Sequence, residues 1–192
     1  WADFCSAHFS FVSFAFSRFS SAADFKSSMF PYGASFRGVW FCTEVEFNSV
    51  EFGRVEFVST SFKGVVNFTS VVFGAESTFL NAEFAEGGVF AAARFKVHVP
   101  DFRGAKLHEA NEWHGAIWPS APRNRVSAQQ QIYAYERLKA EMERLKKYDD
   151  EQFFYSKELR AKRALIVDYT AAWYLNFLYE ILSSYGQSVA RP

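Results

Sequence analysis

The sequence predicts a mainly β chain: a solenoid with four short sides to the coil over residues 1–120, then a small α-helical appendage over residues 121–192. Three observations predict it: a phenylalanine that returns every five or six residues, a small or β-branched residue two places before each one, and a change to helical spacing after Trp118. The rings are Phe4, Phe9, Phe14, Phe19, Phe25, Phe30, Phe36, Phe41, Phe47, Phe52, Phe57, Phe62, Phe68, Phe73, Phe79, Phe84, Phe90, Phe95 and Phe102, and Leu107, Trp113 and Trp118 continue the series. A helix turns about 100° per residue and would smear a five-residue period round its whole surface, and a strand would throw successive rings to opposite faces. A chain that bends at a corner every five residues keeps every ring pointed at one axis.

The second observation fills the interior. Ala2, Ala7, Val12, Ser17, Ala23, Ser28, Ala34, Val39, Val45, Val50, Val55, Thr60, Val66, Val71, Ser77, Ala82, Gly88 and Ala93 each stand two residues before a ring. A small residue and a large ring alternating along an inner wall fill a narrow tube without voids. This small-x-Phe-x-x pattern, over roughly residues 2 to 118, resembles the pentapeptide-repeat family. The resemblance implies a right-handed quadrilateral β-helix with four short sides per coil.

The spacing yields the number of sides independently. From Phe4 the steps run 5, 5, 5, 6, 5, 6, 5, 6 and repeat, a period of 43 residues that carries Phe4 to Phe47 and Phe47 to Phe90. With the sides numbered one to four from Phe4, the steps from one to two and from three to four are always five. The step from four to one is always six, and the step from two to three varies. Extra residues then stack on two opposite corners, as a regular prism requires; three sides would scatter them, and two would leave no interior. Five and a half coils at about 4.8 Å make a rod on the order of 26 Å long.

Past Trp118, the residues Pro119 and Pro122 break the coil, and from Ser127 the apolar steps become helical. Ser127 with Gln130 reads as a capping box, and Ile132, Tyr135, Leu138, Met142 and Leu145 recur at steps of three and four. Asp149, Asp150 and Glu151 mark a new N-terminus for a helix carrying Phe153, Phe154, Leu159 and Ala164. A further helical stretch holds Trp173, Leu175, Phe177, Leu178, Ile181 and Leu182, up to Gly186. The appendage is expected to cover the open end of the coil.

Composition narrows the function classes. The formal charge is zero, with 9 Lys and Arg against 12 Asp and Glu in residues 1–120 and the reverse in residues 121–192, so neither half has the excess that steers a protein to nucleic acid. The repeat absorbs every Phe of the 24 except Phe11, Phe16, Phe153, Phe154 and Phe177, which removes most of the aromatic content as evidence for a binding surface. Cys5 and Cys42 fall on different sides and different coils, so no disulfide is expected, and free thiols suit a reducing compartment. The chain opens on Trp rather than Met and ends abruptly, and it reads as an excerpt from a longer protein.

Residues 133–192 resemble the helical segment that follows pentapeptide repeats in some bacterial membrane proteins, where it leads into transmembrane helices. Within this chain, the stretch from Ala164 to Leu182 comes nearest to membrane hydropathy, but Asp168, Asn176 and Glu180 interrupt it, and each charge at mid-bilayer costs about 2.5–3.5 kcal/mol. A buried or interfacial helix is the expectation, with Trp173, Phe177, Leu178 and Ile181 as one apolar interaction stripe.

Candidate chemistry is sparse. His108, Glu109, Glu112 and His114 are the one gathering of metal-ligand types, but His108 and Glu112 flank different sides and diverge, so no metal site is assigned. Asp3, Asp24 and Glu46 form an acidic ladder with Lys26 between them, read as a solvated face. No phosphate loop, nucleophile elbow or Ser/His/Asp arrangement stands out, and the reading carries no catalytic residue and no cofactor. The expected function is a non-enzymatic scaffold on the cytoplasmic side of a bacterial membrane protein. Its partner would be a protein, with membrane association supplied by segments beyond this chain and weak homodimerisation through the stripe. The alternative is a soluble nucleic-acid mimic of the kind that binds topoisomerases, as some members of the resembled family do; an acidic excess of three is small against a duplex bearing one charge per roughly 1.7 Å.

Overall fold

A computed structural model describes residues 1–122, 124–165, 174, 175, 177 and 178. The chain divides into two compact units, Trp1–Pro119 and Ser120–Pro192.

The first unit is a parallel β-solenoid of two-residue strands in four sheets, one per side. Side one pairs β1 (Ala2–Asp3), β4 (Ala23–Asp24), β8 (Val45–Glu46), β12 (Val66–Asn67) and β16 (Gly88–Val89). Side two pairs β5 (Met29–Phe30), β9 (Glu51–Phe52), β13 (Val72–Phe73) and β17 (Arg94–Phe95). Side three pairs β2 (Val12–Ser13), β6 (Ala34–Ser35), β10 (Val55–Glu56) and β14 (Ser77–Thr78), and side four pairs β3 (Arg18–Phe19), β7 (Trp40–Phe41), β11 (Ser61–Phe62) and β15 (Glu83–Phe84). Single bridges extend the ladders, His8 to Met29 at one end and Asp101, Lys106, Glu112 and Ile117 at the other. The register aligns the repeat with itself, small residue on small residue (Val45 on Val66) and ring on ring (Phe41 on Phe62).

Both inward positions are buried as the period requires. From Phe25 to Phe95 each ring of the series is at most 2% exposed, and Val39, Val45, Val50, Val55, Val66 and Val71 are fully buried. Rings stack along each side, Phe25 on Phe47 at 4.9 Å and Phe47 on Phe68 at 5.2 Å, while rings of sides one and three meet edge to face across the tube, Phe36 against Phe47 at 5.3 Å and 81°. Both geometries suit the aromatic quadrupole, and burial of each ring contributes about 2–3 kcal/mol before chain entropy is counted.

The constant and variable steps have a structural cause. Two residues after each ring of sides one and three the chain enters the left-handed region: Ser6, Phe16, Ser27, Gly38, Ser49, Ser59, Ser70, Asn81, Ala92, Gly104 and Gly115 have φ between 54° and 67°. The next amide donates back to the ring residue's carbonyl, as Ala7 does to Phe4 and Val50 to Phe47, both at 3.1 Å. These are type II turns, whose fixed length permits no insertion. Corners after sides two and four lack that turn and take the extra residues. There successive coils approach closely: a Cβ on Gly53 would lie 2.0 Å from the Pro31 carbonyl oxygen.

In the second unit, α1 (Arg125–Arg144) buries Ile132, Tyr135, Leu138 and Met142, as its spacing predicts. Its cap differs from the expected Ser127–Gln130 box. Asn124 is the N-cap, its Oδ1 accepting from the Ser127 amide at 2.9 Å, while the Ser127 side chain reaches back to the Asn124 amide. Asn124 takes an extended backbone, φ −147° and ψ 166°, which places the first turn three residues earlier. Next comes α2 (Tyr148–Arg163), entered through Lys146 at φ 58°, with Asp149, Asp150 and Glu151 in its first turn facing the helix dipole. Ala164 lies past its end and is exposed.

Candidate interaction surface

The apolar stripe proposed from the sequence is described at two of its four residues. Phe177 and Leu178 are helical and 38% and 49% exposed; Trp173 and Ile181 lie outside the described residues. Tyr174 and Leu175, also helical, are 49% and 68% exposed. Tyr174, Phe177 and Leu178 are spaced three and four apart and share one helical face. No helix among the described residues is long and apolar enough to cross a membrane.

The acidic ladder of side one is real in register, Asp3 on Asp24 on Glu46. Each of the first two carboxylates accepts the amide two residues on, Cys5 to Asp3 and Lys26 to Asp24, both at 2.9 Å. These are local turn bonds round the ring, repeated by Asn67 and Asp101. Desolvation pushes the Asp24 carboxyl up, but the Lys26 amide, the Cys5 thiol and the Lys26 ammonium, 3.4 Å away, outweigh it and hold it below the ordinary carboxylate range. The same cluster pushes the Cys5 thiol up to about 11, through lost solvation and then the Asp24 and Asp3 carboxylates. Cys5 is a protonated thiol at neutral pH, the opposite of an activated nucleophile. Both cysteines are free.

The His108 cluster is organised by the backbone. The His108 Nδ1 accepts from the Ala110 amide at 3.1 Å, and the His108 amide donates to Asn111 Oδ1 at 2.9 Å, so the imidazole closes a turn. Among the described residues no three His, Cys, Asp or Glu side chains are placed to share a metal ion.

Two features were not read from the sequence. In the helical unit, Glu158 is 2% exposed and takes Lys139 Nζ at 2.6 Å on one oxygen and Lys162 on the other, with Glu136 3.3 Å from Lys162. Burial raises its pKa, but the two lysines outweigh burial and hold the carboxyl low. The signal was Glu158 on the apolar side of the α2 periodicity, legible only once α1 supplies Lys139 opposite. The other feature is aromatic. Phe11 and Phe16 fall between repeat positions and are 65% and 79% exposed, beside Tyr32 at 78% and Trp40 at 50%. Lys63 Nζ stands 5.7 Å from the centre of the Trp40 ring and 2.7 Å from Glu83.

The chain matches no protein-family model, and no curated protein matches it. The class therefore rests on geometry: a four-sided parallel β-solenoid with a phenylalanine about every five residues, which fits a pentapeptide-repeat β-helix, followed by two helices. A solenoid of this kind presents registered ladders of side chains, such as Asp3, Asp24 and Glu46, at a fixed spacing.

Proposed function

We propose that this chain is a non-enzymatic interaction scaffold, the cytoplasmic, membrane-proximal part of a larger bacterial membrane protein, with the solenoid as a rigid spacer and the helical unit as its coupling element. The observation that carries this reading is the exposed apolar set Tyr174, Leu175, Phe177 and Leu178, which lies C-terminal to the charged α2 in the sequence. Exposed apolar residues concentrated on one short segment mark a contact surface for a protein or a membrane boundary. The near balance of charge on the solenoid favours this over a mimic of nucleic acid.

Two measurements test it. The natural reading frame should continue past Pro192 into a run of about 20 apolar residues, and the chain as given should stay in the aqueous phase on detergent phase separation. A frame that stops near Pro192, or partition of this chain into detergent as an integral protein, overturns the reading.

A further inference from the structure

The helical unit buries one apolar face and shows another. In α1, Ile132, Leu138 and Met142 are at most 3% exposed. Leu175 and Leu178, by contrast, are 68% and 49% exposed, with Tyr174 at 49% and Phe177 at 38% beside them. Every other leucine among the described residues, Leu80, Leu107, Leu138, Leu145, Leu159 and Leu165, is buried or half-buried.

The breadth of this set discriminates between occupants. Round a helix, positions 174 and 175 lie about 100° apart, as do 177 and 178, and the four together span an arc of about 160°. A protein groove takes a narrow stripe of anchors three and four apart, each in its own pocket. Fluid hydrocarbon moulds to any outline and covers a wide arc, and a helix lying in a bilayer interface buries such a face about 5–10 Å deep. Tyr174 suits that depth, because its ring is apolar and its hydroxyl reaches the headgroups.

The charge of the unit selects the lipid. Residues 121–192 hold 12 Lys and Arg against 9 Asp and Glu, and the last turn of α2 carries Arg160, Lys162 and Arg163. Lys157 and Arg160 are three apart and share a face of that helix. Lys157 Nζ stands 5.3 Å from the centre of the Phe153 ring and has no ion pair among the described residues. Burial, and then the Arg160 guanidinium, hold its ammonium below the ordinary lysine range. An anionic headgroup relieves cations crowded in this way, and a negatively charged leaflet attracts the lysines and arginines beside it.

We propose that the helical unit binds the surface of a bilayer rich in anionic lipid, laying Tyr174, Leu175, Phe177 and Leu178 into the boundary between headgroups and acyl chains. This rests on the membrane-proximal reading above and deepens it, because it puts membrane contact within this chain rather than only in segments beyond it.

Vesicle flotation tests it, with vesicles of phosphatidylcholine alone and vesicles of about one third phosphatidylglycerol. The chain should float with the anionic vesicles and bind them roughly tenfold or more tighter than the neutral ones. Leu175→Asp/Leu178→Asp should weaken that binding by roughly tenfold or more, with helical circular dichroism and the solenoid melting transition unchanged, since both leucines are exposed. Lys157→Gln should weaken it by roughly fivefold on anionic vesicles and leave neutral ones unaffected. Four results overturn the proposal: no binding to either vesicle, equal binding to both, a leucine double variant that binds as the wild type does, or lipid-independent self-association that the double variant abolishes, which would make a second copy the occupant. The reading frame past Pro192 decides the proposed function separately. A chain that ignores vesicles but is followed by an apolar run overturns this inference and leaves the membrane-proximal reading standing.

Discussion

Two inward hydroxyls show how much a single atom's partner matters here. Thr60 Oγ donates to the Phe36 carbonyl at 2.7 Å, whereas Ser77 Oγ is buried without a partner among the described residues. Removing them should have opposite signs. Thr60→Val should lower stability by about 1 kcal/mol, and Ser77→Ala should leave it unchanged or raise it by up to about 1 kcal/mol. Urea denaturation midpoints of the two variants check this. Phe47→Asp, which buries an unpaired charge among rings, should cost far more than Val65→Asp at a corner where Val65 is 41% exposed. The neighbouring Asn48 is no surface control, because its Oδ1 is itself buried. The Cys5 thiol gives a pH readout: its alkylation should rise about tenfold per pH unit up to a pKa near 11. In Asp3→Asn/Asp24→Asn the midpoint should fall toward the ordinary thiol value, as mass-spectrometric labelling against pH would show.

At the scale of the element, the corners and the helix pair carry the testable content. Eight non-glycine residues of the solenoid hold the left-handed turn position at φ 54° to 60°, each against a steric cost of about 1–2 kcal/mol. Ser49→Gly should therefore stabilise the protein by about 0.5–1 kcal/mol, set by relief of that strain less the added chain entropy. Gly53→Ala should destabilise it, because the Pro31 carbonyl occupies the space of the new methyl group. Calorimetric melting of the pair gives shifts of opposite sign. In the helix pair, the depressed Glu158 pKa means that its contribution is complete above the unfolded glutamate value, about 4.3. It is lost as pH falls through the lower folded value, when the carboxyl that holds Lys139 and Lys162 takes up a proton. Helical circular dichroism followed by acid titration should show this loss, and Glu158→Gln should remove that step and weaken the pair at neutral pH by about 1–3 kcal/mol.

Over the whole molecule, a solenoid is held by contacts between adjacent coils, so what matters in a deletion is register rather than length. Val66 pairs with Gly88, one coil later. Deleting residues 66–87 should leave a folded rod one coil shorter, whereas deleting residues 66–70 should be much more disruptive, because it sets side-two strands on side-one strands and interleaves two kinds of corner. Thermal unfolding of both deletions decides it. The sequence by itself determined the period, the four sides, the inward positions and the break after Trp118. All of these follow from excluded volume and hydrophobic burial, which act on every coil alike and so repeat along the chain. It also placed the buried face of α1, since four buried residues at helical spacing suffice for that. Only tertiary structure decided which corners are type II turns, that Asn124 rather than Ser127 caps α1, and that Glu158 is buried between two lysines. Those depend on which backbone group or charge a neighbouring coil or helix brings within 3 Å, and one-dimensional spacing does not encode that.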